Sequence, residues 1–104
     1  MTTPSSEKVI SGKIQTRDVP NSRALRRFIE RQVTNWIALK FRELSKIRAS
    51  YLVEFRREGA GHTFDCQVEI NLGNQKWVGH HYEGGLHQAL IQCLNQMIPS
   101  PTYA

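Results

Sequence analysis

The sequence predicts an α+β domain of order β-α-β-β-β-α, a four-stranded sheet with both helices packed on one face. Three observations predict it. Apolar residues recur at helical spacing through residues 24–45, they alternate strictly with polar ones through 64–72, and a second helical stripe runs through 86–97. Each predicted strand has a single apolar side, so one face of the sheet carries the helices and the other meets water.

The elements follow in order. Residues 9–16 read as a strand with Ile10, Gly12 and Ile14 on one side and Ser11, Lys13 and Gln15 on the other. Gly12 weakens that pattern. Asp18-Val19-Pro20-Asn21 breaks the chain, because a proline disfavours helix in the residue before it. Ser22 is a good N-cap for the helix that follows, whose stripe is Leu25, Phe28, Ile29, Val33, Trp36, Ile37 and Leu44. Lys46 and Arg48 read as its basic end, which suits the helix dipole. Ala49, Tyr51, Val53 and Phe55 make the next strand face. Arg56-Arg57-Glu58-Gly59-Ala60-Gly61-His62 reads as a flexible loop. In the third strand Phe64, Cys66, Val68, Ile70 and Leu72 face the core, and Asp65, Gln67, Glu69 and Asn71 face water. Gly73-Asn74 makes a tight turn, and residues 75–82 return as the fourth strand. Glu83-Gly84-Gly85 breaks the pattern. Leu86, Ala89, Leu90, Cys93, Leu94 and Met97 then form the stripe of the second helix, which Pro99 ends. Residues 1–8 are thus a flexible lead, 9–98 the domain and 99–104 a loose tail.

Charge narrows the partner. The 104 residues carry 14 Lys and Arg against 9 Asp and Glu, a formal charge of +5 with a pI near 9.6. That surplus favours a polyanion and leaves RNA, DNA and an acidic membrane surface all open. No apolar run is long enough to span a bilayer. The polar start lacks the apolar stretch of a signal peptide. Cys66 and Cys93 form neither a CxxC pair nor a ligand cluster, and both fall on core faces. Reduced thiols there fit a cytoplasmic protein.

Few residues suggest chemistry. His80, His81 and His87 could be imagined around a metal, but adjacent strand residues point to opposite faces. With His62, they read as surface or loop histidines, and no metal or cofactor is expected. Asp65 and Glu69, with Gln67 between them, could make an acidic site, against the plainer reading of a solvated sheet face. Gly59-Ala60-Gly61 and Gly84-Gly85 lack the Lys-Ser/Thr of a phosphate loop. No nucleophile–base pair has a recognisable spacing, so neither an enzyme nor a small-molecule substrate is expected.

The basic face of the first helix stands above background. Arg23, Arg27 and Arg31 lie four apart and stack along one side, with Arg17 and Arg26 nearby. Glu30 is the only acid between Asp18 and Glu43. Guanidinium forks bind phosphate oxygens bidentately, so this face reads as a phosphate track. Lys40, Arg42, Lys46 and Arg48 extend it. Trp77 and Tyr82 could stack on bases from the sheet, although Trp77 fits half-buried packing better, and Trp36 and Phe28 fit the helix core.

Ile14-Gln15-Thr16-Arg17-Asp18-Val19-Pro20-Asn21-Ser22-Arg23-Ala24-Leu25 resembles the start of the ribosome hibernation-promoting factor family, also called protein Y or ribosome-associated inhibitor. Members run a strand, then Arg-Asp-aliphatic-Pro, then a Ser-capped helix with Ala-Leu in its first turn. The likeness continues through residues 48–54, 64–70 and Ala89-Leu90, and so covers roughly residues 9–98. It implies a short-form member with a layout related to double-stranded-RNA-binding domains. It implies binding to the small ribosomal subunit and its ribosomal RNA, and hence silencing of idle ribosomes. The basic residues that members carry along the second helix are Gln88, Gln92, Asn95 and Gln96 here, and no Lys or Arg follows Lys76. Gly85 and His87 replace the usual polar cap and aromatic residue at that helix start. Half of the RNA-contact surface that the resemblance implies is therefore missing. A protein–protein adaptor on the same fold, or a general double-stranded-RNA binder, remain as alternatives.

Overall fold

The computed structural model describes residues 7–58 and 63–100. Of the lead expected over residues 1–8, residues 1–6 lie outside these, as do the loop at 59–62 with His62 and the end of the tail, whereas residues 7–8 belong to the first strand. The elements are β1 (Glu7–Arg17), α1 (Arg23–Lys40), β2 (Lys46–Glu58), β3 (Thr63–Leu72), β4 (Gln75–Glu83), α2 (Leu86–Asn95) and β5 (Ile98–Ser100). They form one sheet in the order β1-β2-β3-β4-β5, with β1 parallel to β2 and the remaining pairs antiparallel.

The sheet therefore has five strands, where four were expected. Pro99 reads as a helix stop and is one, but the chain then pairs Ile98–Ser100 with Lys76–Val78. Proline is tolerated there because β5 is an edge strand, whose outward side needs no N–H donor.

The alternation through β3 buries Cys66, Val68 and Ile70, and β2 buries Ile47, Ala49, Tyr51, Val53 and Phe55 on the same side. From α1, Leu25, Ile29, Val33 and Ile37 close onto that surface, and α2 adds Ala89, Leu90, Cys93 and Leu94. Ser22 caps α1 as expected, its Oγ accepting from the Leu25 N–H at 3.1 Å. Asp18 takes a left-handed φ of 58°, which a short polar side chain tolerates, and the chain turns there out of β1 into the helix lead.

The helix ends five residues earlier than its stripe predicts. At Phe41 the chain turns so that this ring meets Trp36 and Trp77, with centroids 6.2 and 6.3 Å away. Leu44, placed in the helix stripe by its spacing, is left exposed in the following turn, and Leu39 is 73% exposed. Lys46 and Arg48 accordingly belong to β2. The alternation that starts at Ile47 points them away from the helices.

Close packing fixes α2 on the sheet and β1 against β2. A Cβ added to Gly79 on β4 would lie 2.6 Å from the carbonyl oxygen of Cys93 and 2.6 Å from the Met97 sulfur. The α2 backbone thus rests directly on the strand. The Cys93 Sγ donates to the Cys66 carbonyl at 3.6 Å. Hydrogen bonding to Cys93, then burial, pushes the Cys66 thiol well above its ordinary range, so it stays protonated. At the other end of the sheet the Tyr51 ring lies across Gly12, where a Cβ would fall 1.8 Å from its Cζ. Gly12 breaks the strand's alternation because it makes room for that ring.

Two expected results arise here. Burial, then the neighbouring Glu30 carboxylate, raises the Tyr51 phenol above the ordinary value of 10.0, while Arg26 opposes them. The neutral phenol is thus the form the folded protein prefers, and its contribution is complete below pH 10 and lost as pH rises through the raised folded value. Thermal melts of wild type and Tyr51→Phe, compared at pH 8 and pH 11, should show the wild type losing more on alkalinisation. Separately, Gly85 caps α2 without a side-chain hydrogen bond, and its first turn holds no acid. Gly85→Asp should raise stability by about 0.5 kcal/mol, read in denaturant melts, by capping the helix and meeting its positive end.

Candidate nucleic-acid interface

On α1, Leu25, Ile29, Val33 and Ile37 face inward, so the helical period turns Arg23, Arg26, Arg27 and Arg31 to solvent. Among the described residues none of these four takes part in an ion pair. Arg23, Arg26 and Arg27 line a shallow hollow with Asn21 and Glu30. Arg27 and Arg31 line a second one with Glu30, Thr34 and Asn35. Among the described residues Glu30 is the one carboxylate lining these hollows.

The nine cations read from the sequence do not form one track. Arg17 stands at the end of β1 on the sheet face away from the helices, next to the lead into α1. Lys40 and Arg42 lie at the far end of α1, about 25 Å from Arg23 at 1.5 Å per helical residue. There the Lys40 ammonium sits over the Trp77 ring at 4.6 Å. Lys46 and Arg48 are on the outer sheet face, out of reach of the α1 arginines. The structure brings together Arg23, Arg26, Arg27 and Arg31, with Arg17 around the corner.

Arg56 and Arg57 were assigned to a loop by the glycines that follow them, yet both lie in β2. Arg56 sits in register with Arg17, and Arg57 lies over the Phe64 ring at 5.4 Å. Continuing the alternation of β2 past Phe55 would have found them. The second helix exposes Gln88, Asn95 and Gln96, a neutral surface. Its His87 stacks on Phe28 with centroids 4.1 Å apart, a contact between the helices.

The histidines and acids take separate places. His80 and His81 point to opposite sides of β4: His80 pairs with Asp65 on the outer face, and His81 pairs with Glu83 at 2.9 Å. Among the described residues no three His, Cys, Asp or Glu side chains converge to hold a metal. The solvated face expected for Asp65, Gln67 and Glu69 holds for Gln67 but fails for Asp65, which is only 4% exposed. His80 hydrogen-bonds it and the Arg56 guanidinium stands 3.9 Å away, one from the strand on either side. Trp77 turns toward the helices, its ring 5.5 Å from Trp36, whereas Tyr82 is 52% exposed on the outer face. Among the described residues no helix is long and apolar enough to cross a membrane.

A small α+β domain with an arginine-rich helix face is the class that fold and site define. No protein-family description matches the sequence, and no curated protein does. Among solved structures the fold is similar to the N-terminal domain of Protein Y from Thermus thermophilus, with a TM-score of 0.67 and 11% identity. That match covers 80% of this chain and 84% of the other. It is also similar to a ribosomal subunit interface protein from Coxiella burnetii, with a TM-score of 0.67, 12% identity, and 83% and 87% of the two chains covered. At such identities the likeness is one of fold. Protein Y is a name of the family that the sequence resembles.

Proposed function

We propose that this chain is a ribosome-associated RNA-binding factor that occupies the small subunit and silences translation in the cytoplasm. The observation that carries the reading is the α1 surface: four exposed arginines, none of them ion-paired among the described residues, on a fold shared with a ribosomal subunit interface protein. Phosphate contacts of this kind position a protein on RNA without reading sequence. A rigid plug of that shape needs no chemistry, so no catalytic residue or cofactor enters the proposal. Arg23, Arg26, Arg27 and Arg31 form its main contact. Arg17 extends it, and Lys40, Arg42, Lys46 and Arg48 reach other parts of the RNA. A layout related to double-stranded-RNA-binding domains, which the family resemblance implies, fits recognition by helical shape and backbone.

Sedimentation of lysate through a sucrose gradient tests this directly. The protein should travel with small subunits at low salt and leave them as salt rises, since displaced counterions make phosphate-based affinity steeply salt-dependent. Absence from the small-subunit fractions at every salt would overturn the reading, as would association that salt leaves unchanged.

A further inference from the structure

The chain holds two cysteines, and they meet in the core. Cys66 lies on β3 and Cys93 on α2, both 0% exposed. Gly79 on the neighbouring strand lets α2 sit so low that the Cys93 Sγ reaches the β3 backbone, 3.6 Å from the Cys66 carbonyl oxygen. The two side chains also touch, since the Cys66 thiol is hydrogen-bonded with Cys93. Any small hydrophobe at each position would satisfy the packing alone. A touching pair of thiols between a helix and a strand adds the means of a covalent bond across the layer.

Closed, the pair is inert, because buried protonated thiols meet no oxidant. The element that covers them is weakly secured by its own sequence. α2 has ten residues, fewer than a helix needs to hold in water by itself. Its cap, Gly85, makes no side-chain hydrogen bond, and its first turn holds no acid and its last no base. Packing of Ala89, Leu90, Cys93 and Leu94 keeps it in place. Opening one such element takes less free energy than unfolding the domain. When α2 lifts, Cys93 travels with it into water and regains ordinary thiol reactivity, while Cys66 stays on its strand beside the Asp65 carboxylate.

We propose that Cys66 and Cys93 are a latent disulfide pair, oxidised by a small-molecule disulfide when α2 opens and locking α2 onto β3 once joined. The Cys93 thiolate attacks one sulfur of glutathione disulfide, whose S–S bond breaks as one glutathione leaves. As α2 recloses, the Cys66 thiolate attacks the Cys93 sulfur of that mixed disulfide, and the second glutathione leaves. Two electrons pass from the cysteines to the oxidant, and the two thiol protons end on the two glutathiones. With two cysteines in the chain, no other internal pairing competes. The lock goes beyond the RNA-binding reading and is independent of it, since the α1 arginines take no part.

Purified reduced protein, incubated with glutathione disulfide and followed by denaturing mass spectrometry without reductant, tests the pairing. The expected product is a monomer lighter by two hydrogen atoms. The bond joins residues 27 apart in sequence, so the melting temperature should rise by about 10 °C or more, and dithiothreitol should reverse the change. Cys66→Ala should stop at a glutathione adduct on Cys93. Oxidation of the wild type should quicken in sub-denaturing urea, with a slope clearly below that of global unfolding. Failure to react, adducts or covalent dimers in place of the internal bond, or an oxidised form that melts no higher than the reduced one overturns the pair. A urea slope equal to that of global unfolding overturns α2 as the gate.

Discussion

Replacing Arg27 and Arg31 together with glutamate should reduce affinity for small subunits by roughly a hundredfold or more at physiological salt. The argument begins with exposure: both side chains point to solvent, one helical turn apart, and neither touches the core formed by Ile29, Val33 and Ile37. The substitution therefore leaves the packing in place while changing the local charge by four units. A hydrogen bond to a charged group contributes about 1.5–3 kcal/mol, so two lost phosphate contacts correspond to roughly 3 kcal/mol or more. The salt slope should fall by about two units at the same time. Circular dichroism and thermal melting should remain close to wild type, which separates loss of contact from loss of fold. Glutamates placed instead at Gln88 and Asn95, on the neutral face of α2, should leave association nearly unchanged. Binding that survived the α1 exchange and failed with the α2 one would move the interface to the second helix and favour an adaptor.

The core was legible in the residues because burial imposes a period. Cys66, Val68 and Ile70 alternate with wet neighbours, and Leu25, Ile29, Val33 and Ile37 recur every four residues. The ends of elements were less legible because competing contacts set them. Nothing local stops α1 at Lys40. Phe41 leaves the helical path to join Trp36 and Trp77, and Trp77 is far away in the chain. The same limit governs the site. Four arginines could be placed on α1 from spacing alone, since helical geometry is local. That Arg56 would stand beside Arg17, and that His80 and Arg56 would close over Asp65, depends on strand register, which pairs residues tens of positions apart. The short β5 went unseen because Pro99 is a breaker in most settings, and three residues are too few to show a period.

Gly79→Val should produce the largest loss of stability among the surface-neutral substitutions, because it acts on the contact that holds α2 to the sheet. The added Cβ alone would approach the Cys93 carbonyl oxygen at 2.6 Å and the Cys93 Sγ at 3.1 Å. The Met97 sulfur, also 2.6 Å away, lies on a flexible side chain and can move aside. The carbonyl cannot, because it belongs to the helix backbone, so α2 must lift from β4 as a unit. Lifting it opens the layer in which Ala89, Leu90, Cys93 and Leu94 pack on Cys66 and Val68. Overpacking of this kind costs about 3 kcal/mol or more where backbone has to shift. At roughly 4–8 °C per kcal/mol for a domain near this size, the melting temperature should fall by about 12 °C or more. Gly79→Ala, which adds only the Cβ, should lie between wild type and Gly79→Val. A melting temperature within about 2 °C of wild type for Gly79→Val would mean that α2 docks on the sheet with slack that the structure does not show. The same variant also probes the proposed α1 interface, whose arginines are exposed on a different element from Gly79. Any protein that remains folded should keep its salt-dependent affinity for small subunits, and weakening in proportion to the unfolded fraction alone is the expected result.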